Sequence, residues 1–350
     1  MSVQHQLTER HRNILKATIK HYIATAEPVG SKTLIEEYDF SVSSATIRNV
    51  MGHLEKAGLL YQPHTSAGRI PSDEGYRIYV DKLITLDQKS AQNIEKSLEK
   101  HLKQQTWSFE ALMTKAAKFL ASVSGYIALV TIPQTNQLRH LQLLLTESQQ
   151  IILIIVTDAY QTQSFVIDSV NQDSFSESEL QILSNFLNHK LKGKYLSQLP
   201  NLDWEDLDHE FKQYTDFLAQ LLQNISENHL KSSYSLVFHG IAELLRQPEF
   251  SQPEASQMLF DLLEKQQEQI CPLIFATSPY SVGKTKVRIK IGSENNLEPM
   301  RNCSIVSSLY HKGDLPLGSV AIIGPTRMLY ENAISLVEST AAYLSATITA

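Results

Sequence analysis

Through the first eighty residues the apolar positions recur at three- and four-residue steps, broken by Pro and Gly, which is the pattern of short amphipathic helices. Ile14, Leu15, Thr18, Ile19, Tyr22 and Ile23 share one side of a helix predicted over residues 8–25, and Pro28 and Gly30 end it. Ser31 can cap a second short helix with Leu34, Ile35 and Tyr38 inward. A tight connection, DFSVS, leads into a third, capped by Ser43 or Ser44, whose oxygens can accept an orphan amide proton of the first turn. Ile47, Val50, Met51 and Leu54 form its buried stripe, and Gly58 is placed to end it in a left-handed cap. LLYQ and RIP then make two short extended arms around HTSAG, with Gly68 available for the turn. Helix, helix, turn, helix and two-stranded wing is the order of a winged helix-turn-helix, predicted for residues 1–82.

The pattern then changes. Ile94, Leu98 and Leu102 recur every four residues in a charged stretch, predicting a linker helix within 83–106 whose narrow apolar edge docks lightly. Leu112, Ala116 and Leu120 predict a helix, followed by a strand over 126–132 that Pro133 ends. LRHLQLLLTES, IILIIVTDA and QSFVIDSV are three β-rich runs, and their short connections favour antiparallel pairing. A helix over about 177–191 follows. The next carries Phe211, Tyr214, Leu218, Leu221 and Ile225 at the spacing of a coiled-coil seam, which suits either a core-facing helix or a surface for a second copy. SSYSLVFHG restarts strand character, helices fall around Leu244 and over 254–267, and KVRIKIG, CSIVSSLYH and GSVAIIG are further strands. A closing helix carries Tyr330, Ile334, Val337, Ala341 and Leu344 on one face. Setting aside residues 135–230 leaves the element order of a GAF domain, built from 107–134 and 231–350 and interrupted in its first hairpin. The expected class is α+β in three parts.

Candidate chemistry concentrates on the third helix. Opposite its buried stripe it presents Ala45, Arg48, Asn49, Gly52, His53 and Lys56; small residues allow close approach, while Arg and Asn pair with guanine and adenine edges. The bland alternative is an amphipathic helix with a solvated face. The flanking helices and wing favour a recognition helix. The candidate DNA-binding set is therefore Ser43, Ser44, Thr46, Arg48, Asn49, His53 and Lys56 on the helix, with His64, Thr65, Ser66 and Arg69 on the wing. Arg48 and Asn49 are expected to read bases and Arg69 to seat the wing on the backbone.

Charge tempers this picture without removing it. The 350 residues carry a net charge of -6, but residues 1–82 hold ten Lys/Arg against nine Asp/Glu. That is a modest electrostatic footprint, so one copy should hold DNA weakly and two linked copies would gain by effective concentration. The polar start MSVQHQLTERHR has no secretory core, and the longest aliphatic run, IILIIV, is far short of a membrane span, pointing to a cytoplasmic protein. Cys271 and Cys303 lack the spacing of a zinc site or disulfide framework. VGKT at 282–285 echoes a phosphate-binding loop, but Ser278 stands where its first glycine belongs. Neither HExxH nor GxSxG occurs, the histidines are expected at the surface or as caps, and Glu294 and Asn295 suit a turn better than a pocket. No enzyme, metal or cofactor is expected.

EPVGSKTL, SVSSATIRNVMGHLEKAGLL and PHTSAGRIPSDEGYRIYVDKL resemble the N-terminal signature of the heat-inducible transcription repressor HrcA family. KIGSENN, SIVSSLY and GSVAIIGPTRMLYENAISLVE resemble that family's C-terminal blocks, so the resemblance spans the chain, with the middle least distinctive. It implies a dimeric repressor of chaperone genes on an inverted-repeat operator called CIRCE. It implies as well a winged helix, a GAF-like domain and an inserted dimerising domain, with the 211–225 stripe as a dimer surface and the chaperonin GroEL as a partner. The rival reading is a GAF-type small-molecule-binding regulator whose winged helix mediates protein contacts.

Overall fold

A computed structural model describes residues 7–65, 67–102, 109–133, 137–148, 150–157, 162–167, 175–194, 214, 217, 221, 234–250, 253–275, 287–313 and 315–349. The chain divides into two compact units, the larger comprising residues 1–104, 114–131 and 236–350, the smaller 105–113 and 132–235.

The larger unit begins with three short helices around one core. α1 (Glu9–Thr25) starts at Thr8, whose hydroxyl accepts the His11 amide proton. It stops at Ala26, held left-handed at φ 58° with its N–H on the Tyr22 carbonyl at 2.9 Å. α2 (Ser31–Glu37) and α3 (Ser44–Lys56) follow, and Ile14, Leu15, Ile19, Leu34, Ile47 and Leu54 are fully buried among them. The end of α3 is a Schellman turn. Gly58, at φ 75°, donates to the Glu55 carbonyl, and Leu59 donates to that of Leu54, both at 2.9 Å. His21 corrects the expectation of surface histidines: it is 7% exposed, and its Nδ1 lies 2.6 Å from the Glu37 carboxylate, joining α1 to α2.

The wing is β1 (Leu60–Tyr61) paired antiparallel with β2 (Ile70–Pro71). It does not stand free. Arg69 and Val29 exchange both backbone hydrogen bonds at 2.9 Å, pinning the second arm to the turn before α2. Gly68, expected to supply the turn, serves that junction instead, because a Cβ there would lie 2.5 Å from the Val29 carbonyl carbon and oxygen.

Ser72 caps α4 (Asp73–Ile78), which runs through a π-helical turn, Tyr79–Leu83, towards α5 (Gln88–Leu102). Tyr76, Tyr79 and Val80 are buried. The expectation that this next helix docks lightly is also corrected: Leu98 and Leu102 are buried, covered by the closing helix α11 (Tyr330–Thr349). A five-stranded sheet forms the body, in the order β7 (Tyr234–His239), β3 (Ile127–Pro133), β10 (Leu315–Pro325), β9 (Cys303–Lys312), β8 (Val287–Ile291). Its strands from β3 to β8 pair antiparallel. Cys303 and Ile305 of β9, with Ala321 and Ile323 of β10, pack with α9 (Pro253–Lys265) and α10 (Gln267–Phe275). The alternate β9 positions meet α11, where the Tyr330 and Ser304 hydroxyls lie 2.7 Å apart. α6 (Phe109–Ser124) precedes β3, and the short α8 (Ile241–Leu244) follows β7.

The smaller unit has a core of its own. β4 (Leu138–Leu145), β5 (Ile151–Thr157) and β6 (Thr162–Ile167) form an antiparallel sheet, with α7 (Glu177–Leu191) against one face. A reciprocal cap between Ser176 and Glu179 starts α7. Its Asn188 donates to and accepts from the Leu141 backbone, and Ser184 accepts the Leu143 amide, so side chains close the open edge of β4. Of the expected seam, Leu221 is fully buried in this unit's core, and Tyr214 lies on that core with its hydroxyl donating to Glu179. Both sit where a core-facing helix puts them. Phe211, Leu218 and Ile225 lie outside the described residues.

Two substitutions check the local readings. Ala26→Gly should raise urea-measured stability by about 1 kcal/mol, because a left-handed alanine is strained; a loss of stability would show that Ala26 carries no strain. Gly68→Ala should cost about 1–3 kcal/mol through the clash with Val29. The control is Gly52→Ala within α3, where an added Cβ meets no atom within 4 Å, so it should be neutral or stabilising by about 1 kcal/mol.

Candidate nucleic-acid interface

α3 stands on a fixed footing. Ser43, in extended backbone, accepts the Thr46 N–H at 3.2 Å, and its hydroxyl lies 3.0 Å from that of Thr46. Ser44 is not the cap. Its hydroxyl lies 2.9 Å from that of Ser31, tying the first turn of α3 to the first turn of α2. Thus the two serines are divided between shaping the helix start and fixing its angle. With Ile47, Val50, Met51 and Leu54 buried, Ala45, Arg48, Asn49, His53 and Lys56 are exposed along the opposite side.

A groove runs along each flank of this ridge. On one side Arg48 joins Gln62, Thr65 and Arg69 in lining a space of ≈ 480 Å³ between α3 and the wing. On the other, Asn49 and His53 line one of ≈ 890 Å³, against the Thr8 cap, Arg10, His11 and Asn13 at the start of α1 and the 39–42 turn. Arg48 and Asn49 are adjacent in sequence yet serve different flanks. A helix exposed between two channels is the shape that enters a major groove about 12 Å wide while the channels take the backbones.

The wing loop is organised from within. Gln62 donates its amide to the Thr65 and Ala67 carbonyls, at 3.0 and 2.8 Å, leaving His64 and Thr65 exposed at the tip. Ser66 lies outside the described residues. Arg69 is less available than its sequence position implies, because its Nε donates to Glu55 at 2.9 Å. Glu55 therefore does more than oppose the local positive charge; it engages one of the bases directly.

Two groups that pattern reading missed belong to this surface. The His11 ring stacks on His53, with centroids 6.1 Å apart and planes inclined by 24°, so the start of α1 extends the polar face of α3. No spacing in the chain announces a pair separated by forty-two positions. Gln62 was legible only as a strand residue. Among the described residues no group of three or more His, Cys, Asp and Glu is placed to hold a metal ion, and VGKT lies outside them. Burial pushes the Cys303 thiol up to about 12, the state of an inert core cysteine.

The profile of the family described as HrcA protein C terminal domain matches residues 110–334. The heat-inducible transcription repressor HrcA of Trichormus variabilis is 50% identical over 361 residues, covering 98% of this chain and 99% of its own. That of Synechocystis is 48% identical, covering 97% of each. A solved structure described only as a hypothetical protein shares the fold at TM-score 0.64 and 23% identity, over 98% of this chain and 99% of that one. Full-length relatives at this identity, together with the profile match, leave one assignment: the chain belongs to the HrcA family.

Proposed function

We propose that this chain is a heat-inducible transcription repressor that binds an inverted-repeat operator of the CIRCE type as a homodimer, controls chaperone operons of the groE and dnaK class, and releases DNA on heat stress. The observation that carries the reading is the exposed face of α3 between its two grooves, with Arg48 and Asn49 directed to opposite flanks. Arg48, Asn49 and His53 are the base-reading group; Lys56, His64 and Thr65 meet phosphate. Ser43, Ser44 and Thr46 hold the helix end. Family membership supports the heat response, the cytoplasmic setting and GroEL as the partner that restores the active state.

Dimerisation belongs to the inserted region in this reading. Support comes from the second face of its sheet, where Leu144 and Val166 are 40% and 58% exposed and Ile152, Ile154 and Val156 are half-buried. That is an apolar strip across all three strands. Two linked copies raise affinity through effective concentration, which a domain of such modest charge needs.

A ligand-regulated protein is the second reading, favoured by a groove of ≈ 590 Å³ lined by Lys20, Tyr79, Asp87, Glu331 and Asn332. Salt-dependent binding to a palindromic duplex separates the two, because protein contacts alone would not require it.

Arg48→Ala should cost about 1–3 kcal/mol per half-site and relax preference at one base pair, whereas Lys56→Ala should weaken all sequences alike and lower the salt slope by about 1. Fluorescence anisotropy over a salt series checks both, and unchanged operator affinity in the folded Arg48→Ala protein would remove Arg48 from the reading set. Glu55→Gln should act in the opposite direction. Releasing Arg69 should tighten binding to any duplex and steepen the salt slope by about 1; a slope that stays put would mean Arg69 never reaches phosphate.

A further inference from the structure

Two sequence blocks that the DNA-binding reading leaves unused meet in the fold. One is the SDEGYR stretch of α4; the other is the GSEN turn that follows β8. The Ser293 N–H donates to the Asp73 carboxylate at 2.8 Å. Gly292 is left-handed at φ 49°, and a Cβ on it would lie 2.3 Å from the Asp73 oxygens, so the turn and the carboxylate are fitted to each other. Arg77 adds a fork: Nε donates to Glu294 Oε1 at 2.8 Å and Nη2 to Oε2 at 2.5 Å, while Nη2 also reaches the Ile289 carbonyl at 2.9 Å. Its Nη1 is 3.2 Å from Asp81, and the Ile291 N–H, at 2.9 Å, holds Glu294 from behind.

The other fastenings have the same character. The Tyr79 hydroxyl donates to Glu331 at 2.6 Å. Arg327, doubly bonded to Glu249, donates from Nη1 to the Ile23 carbonyl of α1 at 3.3 Å. Apolar contact holds surfaces together without regard to angle, whereas forked, charge-assisted hydrogen bonds fix orientation. The orientation also passes onward. The Ser72 hydroxyl donates to the Gly58 carbonyl at 2.6 Å, the Ser72 amide donates to the Leu59 carbonyl at 3.1 Å, and a Cβ on Gly75 would lie 2.2 Å from the Leu59 oxygen. Hence α4 is keyed directly to the end of α3.

We infer that Arg77 and Glu294, with Asp73 and the Gly292–Ser293 backbone, are positioning residues that set the angle of the recognition helix on its body and so make operator binding selective for half-site spacing. This rests on the dimeric-operator reading above. However two copies are joined, the tolerance in distance between their recognition helices can be no tighter than the joint between each winged helix and its body. A joint built on directional bonds keeps that tolerance narrow.

The test uses the full chain. Spin labels on Lys32→Cys and Arg301→Cys, exposed positions on winged helix and body, report the joint by their distance distribution. It should be narrow in the parent and broad in Arg77→Ala. Arg77→Lys, which keeps the charge but loses the fork, should fall between and serves if Arg77→Ala does not fold. Anisotropy is then read on inverted repeats spaced in single-base-pair steps and on a lone half-site. The parent should lose ~10²-fold when half a helical turn is inserted, whereas Arg77→Ala should bind the half-site like the parent and lose less than ~10-fold. An unbroadened distance distribution, or an unchanged spacing profile, in Arg77→Ala overturns the inference. A parent that holds one half-site as tightly as the repeat refutes the dimeric reading instead, and the label distances still decide whether Arg77 fixes the joint.

Discussion

For the winged helix to rest on its body, a guanidinium has to be taken almost out of water. The Arg77 side chain is 15% exposed, and each of its three nitrogens has an acceptor. Surface ion pairs contribute about 0–1 kcal/mol, whereas stranding a buried charge by removing its partner costs about 3–5 kcal/mol. With Glu294 still 36% exposed, the pair falls between these limits. Tyr76, Tyr79 and Val80 are buried on either side of it. The join is also imperfect. Among the described residues the buried Tyr76 hydroxyl has no hydrogen-bond partner, a defect of about 1–3 kcal/mol. A charged, directional joint that leaves the Tyr76 hydroxyl unsatisfied is firm in geometry and moderate in strength.

Local signals were legible and non-local ones were not. The caps, stripe and left-handed glycine of α3 follow from residues within a few positions of one another, and the structure has them where periodicity puts them. Gly68 looked like a turn residue because its real neighbour, Val29, is thirty-nine positions away. The edge of α5 looked lightly docked because nothing near it in sequence reveals that α11 covers it. Glu294 and Asn295 were correctly placed in a turn, but the reason lies elsewhere: Glu294 holds Arg77, while the Asn295 amide donates to the Gly292, Met300 and Cys303 carbonyls. The 211–225 stripe had two physical readings, and its described members, Tyr214 and Leu221, face their own core.

The candidate interface depends more on placement than on charge. Arg69 is engaged by Glu55, and Arg77 belongs to the joint, so the basic residues of the first eighty are not all offered to a polyanion. Attraction without sequence preference is thereby restrained, while the side chains able to discriminate base edges remain exposed on α3. A repressor searching a genome benefits from this balance, because specificity is the ratio of operator to random binding.

The strands β3 and β7 lie side by side in the body sheet, yet residues 134–233 separate them in sequence. Because the excursion leaves and returns at neighbouring strands, the sheet closes whatever the hundred residues between them do. The smaller unit brings its own hydrophobic core and seals its own β4 edge. The body sheet is therefore indifferent to the length of the excursion: residues can be added or removed between β3 and β7 without breaking one of its strands, and α3 keeps its footing.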